Sequence, residues 1–489
     1  MDDELEIGVK SMDLTEGPIT KKLLSFALPI IIGNIVLQLY NMADAIVVGN
    51  FIGDEALAAV TVSGPLMFLF NALFMGLSTG ANILVAQYKG ANDQKALEKA
   101  INTAYTLCII VGIGITVVGV LASRPLLHFL GTPDNILDDA VTYLNCVVLG
   151  TIGNIIYNLS NGLTRGLGDS KWPLYALIMS SVINVSLDLL LIGYFRMGVA
   201  VSAITNTIAY LLASIMLLAR FAKGKYGVRL SLTSMLKIDR SLAGLVFKLG
   251  IPTAIQNTAM SLGNVIMQVF ANNFGSDYIA ANGIVMRVDG FVMMPMFAIG
   301  MAITTFVGQN TGAGKLDRVR EGINKSLQIA LCATVILGVV MQFSGVYLVR
   351  MFTDKESIIT MGLYGVRLVS YFYCFMAINQ CLGGAMRGAG AARAPATISI
   401  VSSIVRLVAA YLMSGRPFDR AINEAVSVGA YRTAELAKAA GVGLEYYKGM
   451  FYSMAINMGV SALLIFLYYK FANWHDMGVT KQAGTASDS

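Results

Sequence analysis

Apolar runs long enough to cross a bilayer recur along nearly the whole 489-residue chain. A hydrocarbon core of roughly 30 Å takes about 20 apolar residues per helix. Inside lipid every backbone N–H and C=O must find its partner within the protein, and a helix does this within its own segment. Charged residues make up only 13% of the chain, against roughly 25% in a soluble domain, and the mean hydropathy is +0.67. The expected class is an all-α polytopic membrane protein. Twelve segments are expected near 20–49, 56–87, 98–123, 137–163, 173–195, 199–221, 241–272, 278–310, 321–349, 357–385, 395–414 and 448–472. Several exceed the length of a perpendicular crossing, so they tilt, bend or project.

The chain also repeats itself. Pro29 in FALPI matches Pro252 in KLGIPT, and after one extra residue in the first copy the offset settles at 222. GDEALAA then matches GSDYIAA, VAQYKGA matches VGQNTGA, and RGLGDSKWP matches RGAGAARAP. The expected architecture is therefore two pseudo-symmetric six-helix lobes. Six is even, so both copies enter from the same side as a parallel repeat, with binding at the interface between halves. The expected division is a tail at 1–19, an N-lobe at 20–222 and a basic linker at 223–240. A C-lobe at 241–473, with an extra external segment near 416–446, and a tail at 474–489 complete it.

Basic residues crowd one set of connections. The sixth-to-seventh linker alone carries Arg220, Lys223, Lys225, Arg229, Lys237 and Arg240. The opposite connections hold Arg124, Arg196, Arg350 and Lys355, leaving aside the extra segment. The positive-inside rule places both termini in the cytoplasm and the protein, multi-pass, in the plasma or inner membrane. The net charge of +6 is thus a topology signal, and no nucleic-acid partner is expected.

On the first span Asn34, Gln38, Asn41 and Asp44 fall within one sector of the helix. Amides in a membrane commonly bond a neighbouring helix. A carboxylate there is costly and usually faces a pathway or cavity, so Asp44 reads as functional. On the fifth span Asn184 and Asp188 lie one turn apart on one face. Asp44 and Asp188 share a depth, and Asn206 enters at that depth too. Together they suggest one pocket inside the first lobe.

The repeat acts as a control. Asn34 maps to Asn257 and Asn41 to Asn264, whereas Asp44 maps to Met267, Asn184 to Arg406 and Asp188 to Ala410. The acid pair belongs to one lobe only, which argues against a shared scaffold role. The second lobe carries other charges: Arg287, Asp289 and Arg367. Asp289 and Arg367 share a depth and could form an internal ion pair. Met293 sits in a Met- and Phe-rich run, MRVDGFVMMPMFAIGM, whose flexible side chains suit a cavity for varied ligands. These second-lobe residues, with Asn34, Gln38 and Asn41, are the candidates for a substrate cleft or lobe gating.

LTEGPITKKLLSFALP, LYNMADAIVVGNFIG, NVSLDLLLIG and the paired motifs above resemble, in order and spacing, the multidrug and toxic compound extrusion (MATE) family. The likeness covers about 20–415 and 448–481 and is greatest to the prokaryotic DNA-damage-inducible-like branch. It implies a twelve-helix antiporter that takes a cation in and sends an organic, often cationic, compound out. It implies a cation or proton site at Asp44, Asn184 and Asp188, with Asn206 where relatives often have Thr. Na⁺ at those four residues and a shared proton between the acids both stay open. The segment SGRPFDRAINEAVSVGAYRTAELAKAAGVGLEYYKG departs from the family, and its role as cap, partner site or neutral insertion stays open.

No nucleophile–base constellation or phosphate-binding loop appears, so neither an enzyme nor a cofactor is expected. The expected protein is a monomer in contact with membrane lipid, exporting small organic molecules. Two rivals remain. One is a flippase or exporter of a lipid-linked or cell-envelope precursor, favoured by Arg287, Arg367 and Arg406. The other is a non-transporting receptor or scaffold using 416–446.

Overall fold

The computed structural model describes residues 11–51, 54–129, 132, 134–197, 200–228, 230, 238–428, 430–472 and 474, with no strand among them. Parts of the expected linker and nearly all of the C-terminal tail lie outside the described residues. In the first lobe α1 (Ile19–Phe51), α2 (Asp54–Gly90) and α3 (Gln94–Phe129) run 33, 37 and 36 residues without a break. The fourth span is a pair, α4 (Asp134–Leu149) and α5 (Thr151–Gly166), bent by 45°. α6 (Lys171–Asp188) continues through a π-helical turn at Leu189–Tyr194, and α7 (Ala200–Ala222) closes the lobe.

The second lobe copies this plan. α8 (Arg240–Asn272), α9 (Gly275–Gly312) and α10 (Leu316–Arg350) are long, and α11 (Glu356–Ser370) and α12 (Tyr373–Gly388) bend by 49°. α13 (Arg393–Ala410) runs into a π turn at Tyr411–Gly415 and then α14 (Arg416–Ser427). After α15 (Ala434–Ala439) comes α16 (Tyr447–Phe471). Eight helical spans and the two bent pairs have the length and apolarity to cross a bilayer; α2 and α8 complete twelve, six per lobe. The repeat is visible in the irregularities. The elbow at Gly150 returns at Phe372, and the π turn starting at Leu189 returns at Tyr411, each 222 residues on.

Lipid is the solvent of the outer surface. Val118, Leu121 and Phe343 stand 65%, 76% and 78% exposed, which water would not favour and a bilayer does.

The first helix of each lobe crosses into the other. At the end of the bundle carrying the N-terminus, the basic end, Ile19, Leu23, Phe26, Ala27 and Ile30 of α1 join a core with Ile303, Phe306 and Met386 of the second lobe. Leu242, Val246 and Leu249 of α8 join Leu77, Leu84 and Leu163 of the first. Further along, α1 returns to its own lobe, with Gly33 seated beside Leu174 and Leu177 of α6. Pro29 and Pro252 lie within α1 and α8 near these crossings. A proline removes one backbone donor and loosens the helix there.

Small residues allow the lobes to meet. A Cβ on Gly80 would lie 2.5 Å from the Val246 oxygen, and one on Gly90 1.8 Å from the Gln309 oxygen. The symmetric site obeys the same rule: a Cβ on Gly312 would lie 1.9 Å from the Gln87 oxygen. Two exchanged hydrogen bonds complete the seam. Gln87 Nε2 donates to the Gly388 carbonyl and Gln309 Nε2 to the Gly166 carbonyl, both at 2.9 Å. Those carbonyls stand at the two RGxG corners. There Gly168 and Gly390 have φ of +92° and +98°, a backbone that favours glycine.

At the far end, the extra segment is folded. Phe418 and Ile422 of α14 and Ala437 of α15 are buried in the second-lobe core. Phe418 meets Phe274 at 5.0 Å between ring centroids, and Tyr278 continues the cluster to Tyr447 and Phe451. Ser414 Oγ donates to the Tyr446 carbonyl at 2.8 Å. Thr433 Oγ1 caps α15 by accepting from the Leu436 N–H. The segment thus continues the eleventh span and docks on its own lobe.

Candidate functional site

The site begins with how α6 starts. Asp169 Oδ1 accepts from the N–H groups of Lys171 and Trp172, both at 3.1 Å, capping the helix. Its Oδ2 accepts from the Tyr226 hydroxyl at 3.0 Å and pairs with Arg220 Nη2 at 3.4 Å. This anchor fixes the rotation of α6, whose buried face then carries Asn184 and Asp188, both 0% exposed. The π turn begins at the next residue, and such single-turn widenings concentrate at functional sites.

Around Asp188 three helices converge. Asp44 of α1 lies within hydrogen-bonding reach of it. From α7, the Thr205 hydroxyl donates to Asp188 Oδ1 at 2.5 Å, and the Ser202 hydroxyl donates to Asp44 Oδ1 at 3.4 Å. With its amide nitrogen turned toward the acid, Asn184 donates to Asp188 Oδ2 at 2.8 Å. Its oxygen then accepts from the Asn206 N–H at 3.0 Å. Asn206 Oδ1 accepts from the Tyr40 hydroxyl, and Asn206 Nδ2 donates to the Ser202 carbonyl at 3.1 Å. Tyr143 and Tyr210 stand within electrostatic range of the acids.

The structure therefore brings Asp44, Asn184, Asp188 and Asn206 into one network. It also adds Thr205 and Ser202, which the sequence reading missed. Where relatives often carry a Thr this chain has Asn206; the hydroxyl that reaches Asp188 stands one residue earlier, and Asn206 itself ties Tyr40 to the backbone of α7. One signal pointed to it: SAITNT places Ser202 and Thr205 three apart, on the face that also presents Asn206's amide. Two carboxylates, an amide and a hydroxyl form an all-oxygen donor set suited to a hard cation. Two acids at this separation also suit one shared proton.

The other candidates scatter. Asn34 and Gln38 are half-buried and Asn41 exposed along α1. Asn257 is half-buried on α8, and Asn264 is exposed and accepts from Arg406 Nη1 at 3.0 Å. Met267 is 6% exposed within the second-lobe core, and Met293 packs at a core edge. Arg287 lines a pocket of about 300 Å³ with Phe352 and Ile358, its guanidinium 5.7 Å from the Phe352 ring. The Asp289–Arg367 ion pair does not form. Asp289 is buried and faces the Tyr373 hydroxyl, with Arg406 in electrostatic range. Arg367, in the last turn of α11 just before the 49° elbow, is exposed.

The chain matches the MatE family model twice, over residues 29–190 and 252–412, one match per lobe. It is 28% identical over 469 residues to the Probable multidrug resistance protein YpnP of Bacillus subtilis, covering 96% of this chain and 99% of that one. It is 27% identical over 401 residues to the Probable multidrug resistance protein NorM of Thermotoga maritima, covering 81% and 86%. A multidrug resistance MATE family transporter solved in an outward-facing conformation shares the fold at a TM-score of 0.83 and 21% identity, covering 95% and 98%. The double match, one per structural repeat, places this chain in the MATE family of multidrug efflux transporters.

Proposed function

We propose that this transporter is a cation-coupled antiporter, in which H⁺ or Na⁺ enters through the Asp44–Asp188 site while an organic, often cationic, compound leaves. The observation that carries this reading is the meeting of Asp44 and Asp188, from two helices, at a depth where a lone carboxylate is costly. Their absence from the second copy of the same scaffold supports it. A bound cation neutralises the pair and favours the arrangement of α1, α6 and α7 that encloses it. Substrate favours the opposite arrangement, and linkage between the two equilibria produces exchange. For Na⁺, Asn184 would turn its oxygen inward; for H⁺, the present amide orientation already serves.

In this reading the basic end faces the cytoplasm with both termini, in the inner or plasma membrane, and the monomer is the working unit. Substrate enters between the lobes, and the amides of α1 and α8 are the candidates to contact it. The deciding experiment is efflux from vesicles with pH and Na⁺ gradients imposed separately. Drug movement that ignores both gradients would sink the proposal, and the gradient that drives it names the ion.

A further inference from the structure

The described residues ahead of α1 do not trail away from the bundle. Residues 12–17 lie as a bent strap across the basic-end seam. Met12 N–H donates to the Gly168 carbonyl at 3.0 Å, at the first lobe's corner. Two residues on, the strap belongs to the second lobe. Leu14 N–H donates to Gln309 Oε1 at 3.1 Å, and its carbonyl accepts from Asn310 Nδ2 at 3.2 Å and from Arg318 Nε and Nη2, both at 3.3 Å. Lys315 Nζ donates to the Thr15 carbonyl at 3.1 Å and Arg318 Nη2 to the Gly17 carbonyl at 2.8 Å. The Leu14 side chain is 0% exposed within the second-lobe core. Gln309 ties the strap to the seam, since its Nε2 holds the Gly166 carbonyl while its Oε1 holds Leu14.

The repeat shows that this is an addition to the scaffold. The first-lobe equivalents of Lys315 and Arg318 are Asp93 and Ala96, so the cations that read the strap's carbonyls exist in one lobe only. Buried backbone groups are nearly always paired. Parting the lobes at this end would break the Met12–Gly168 and Gln309–Gly166 bonds, or else pull Leu14 and its row of main-chain bonds off the second lobe.

We infer that residues 12–17 form a latch that holds the basic end shut, so that opening there requires the strap to leave Gly168 or, as a unit, Gln309 and Arg318. The latch thereby sets the balance between the two lobe arrangements. This inference rests on the transport reading only in that the lobes move; its test needs no transport.

The test places a reporter in the seam. Thr305 is 1% exposed and its hydroxyl lies 3.5 Å from Asn82 Nδ2 across the lobes. In Thr305→Cys protein, in vesicles whose basic end faces out, an impermeant maleimide labels position 305 only when the seam opens. Leu14→Asp and Arg318→Ala, made separately in that background, are expected to speed labelling about tenfold, while Leu14→Met stays slow. Native Cys108, 2% exposed in the first-lobe core, is the control for general loosening. Unchanged labelling at 305 in both variants overturns the latch. So does a rise at 305 matched at Cys108, which would make the strap a plain stabiliser.

Discussion

Thr205 donates its hydroxyl to Asp188 Oδ1 at 2.5 Å, across from α7 to the end of α6. A neutral donor aimed at a buried acid tunes how readily that acid gives up or takes a cation. A hydrogen bond to a charged group contributes about 1.5–3 kcal/mol. Thr205→Val keeps the shape and removes the donor, so the ion concentration giving half-maximal efflux should shift about tenfold or more. Thr205→Ser should restore it. Identical ion dependence in Val and Thr proteins would remove Thr205 from the site.

Asp44 and Asp188 act as one unit if they share the ion. Asp44→Asn and Asp188→Asn should each abolish gradient-driven efflux with protein levels intact, and the double variant should be no worse than either single one. Wild-type drug resistance in both single variants would refute the assignment.

The seam makes a contrast between two glycines. Gly80→Ala puts a methyl 2.5 Å from the Val246 oxygen, whereas Gly114 has nothing within 4 Å of its Cβ position. Overpacking costs about 1–3 kcal/mol. Thermal unfolding in detergent should therefore fall for Gly80→Ala and stay level or rise for Gly114→Ala.

Phe418 is the largest buried anchor of the far-end segment. Phe418 is 2% exposed against Phe274, and removing a buried phenyl costs about 3–5 kcal/mol. Phe418→Ala should lower the unfolding temperature and leave the ion dependence of efflux unchanged. Deleting 416–446 tests the receptor reading: efflux that continues removes it.

The latch has a defined pH behaviour. Burial works against the charged form of Asp13, but the Thr15 hydroxyl and N–H, with Lys22 and Lys315 nearby, hold its carboxyl below its usual 3.8. A lowered carboxylate stabilises the fold above 3.8 and loses that contribution as pH falls through the lowered value. Seam labelling at position 305 should thus show no Asp13-dependent change between about pH 5 and 8. Asp13→Asn should speed it throughout.

The twelve spans and the two lobes were readable because apolar length and a 222-residue echo survive in any rotation of the helices. The acid pair was readable because a carboxylate in lipid is rare whatever it faces. Rotation itself was not. Counting from helix ends put Asp289 and Arg367 at one depth, but Asp289 is buried against Tyr373 whereas Arg367 stands on the exposed face of α11. Thr205 was passed over for Asn206 because a one-residue shift along a helix rotates the side chain by about 100°, which hydropathy does not register. The strap was invisible for another reason: apart from the buried Leu14 it offers its partners mainly main-chain groups, which leave little mark on the sequence.

The crossing of α1 and α8 bears on how the molecule assembles. Each half of the chain leaves a face of its first helix that only the other half covers, as in a pair of subunits that have traded arms. Neither half is self-sufficient. Fragments cut in the basic linker, expressed together, have the complementary surfaces needed to find each other, whereas either alone would present bare leucine, isoleucine and phenylalanine to an unsuited neighbour. The chain thus carries the kind of interface an intertwined dimer has, and the buried faces of α1 and α8 are covered only by the other half.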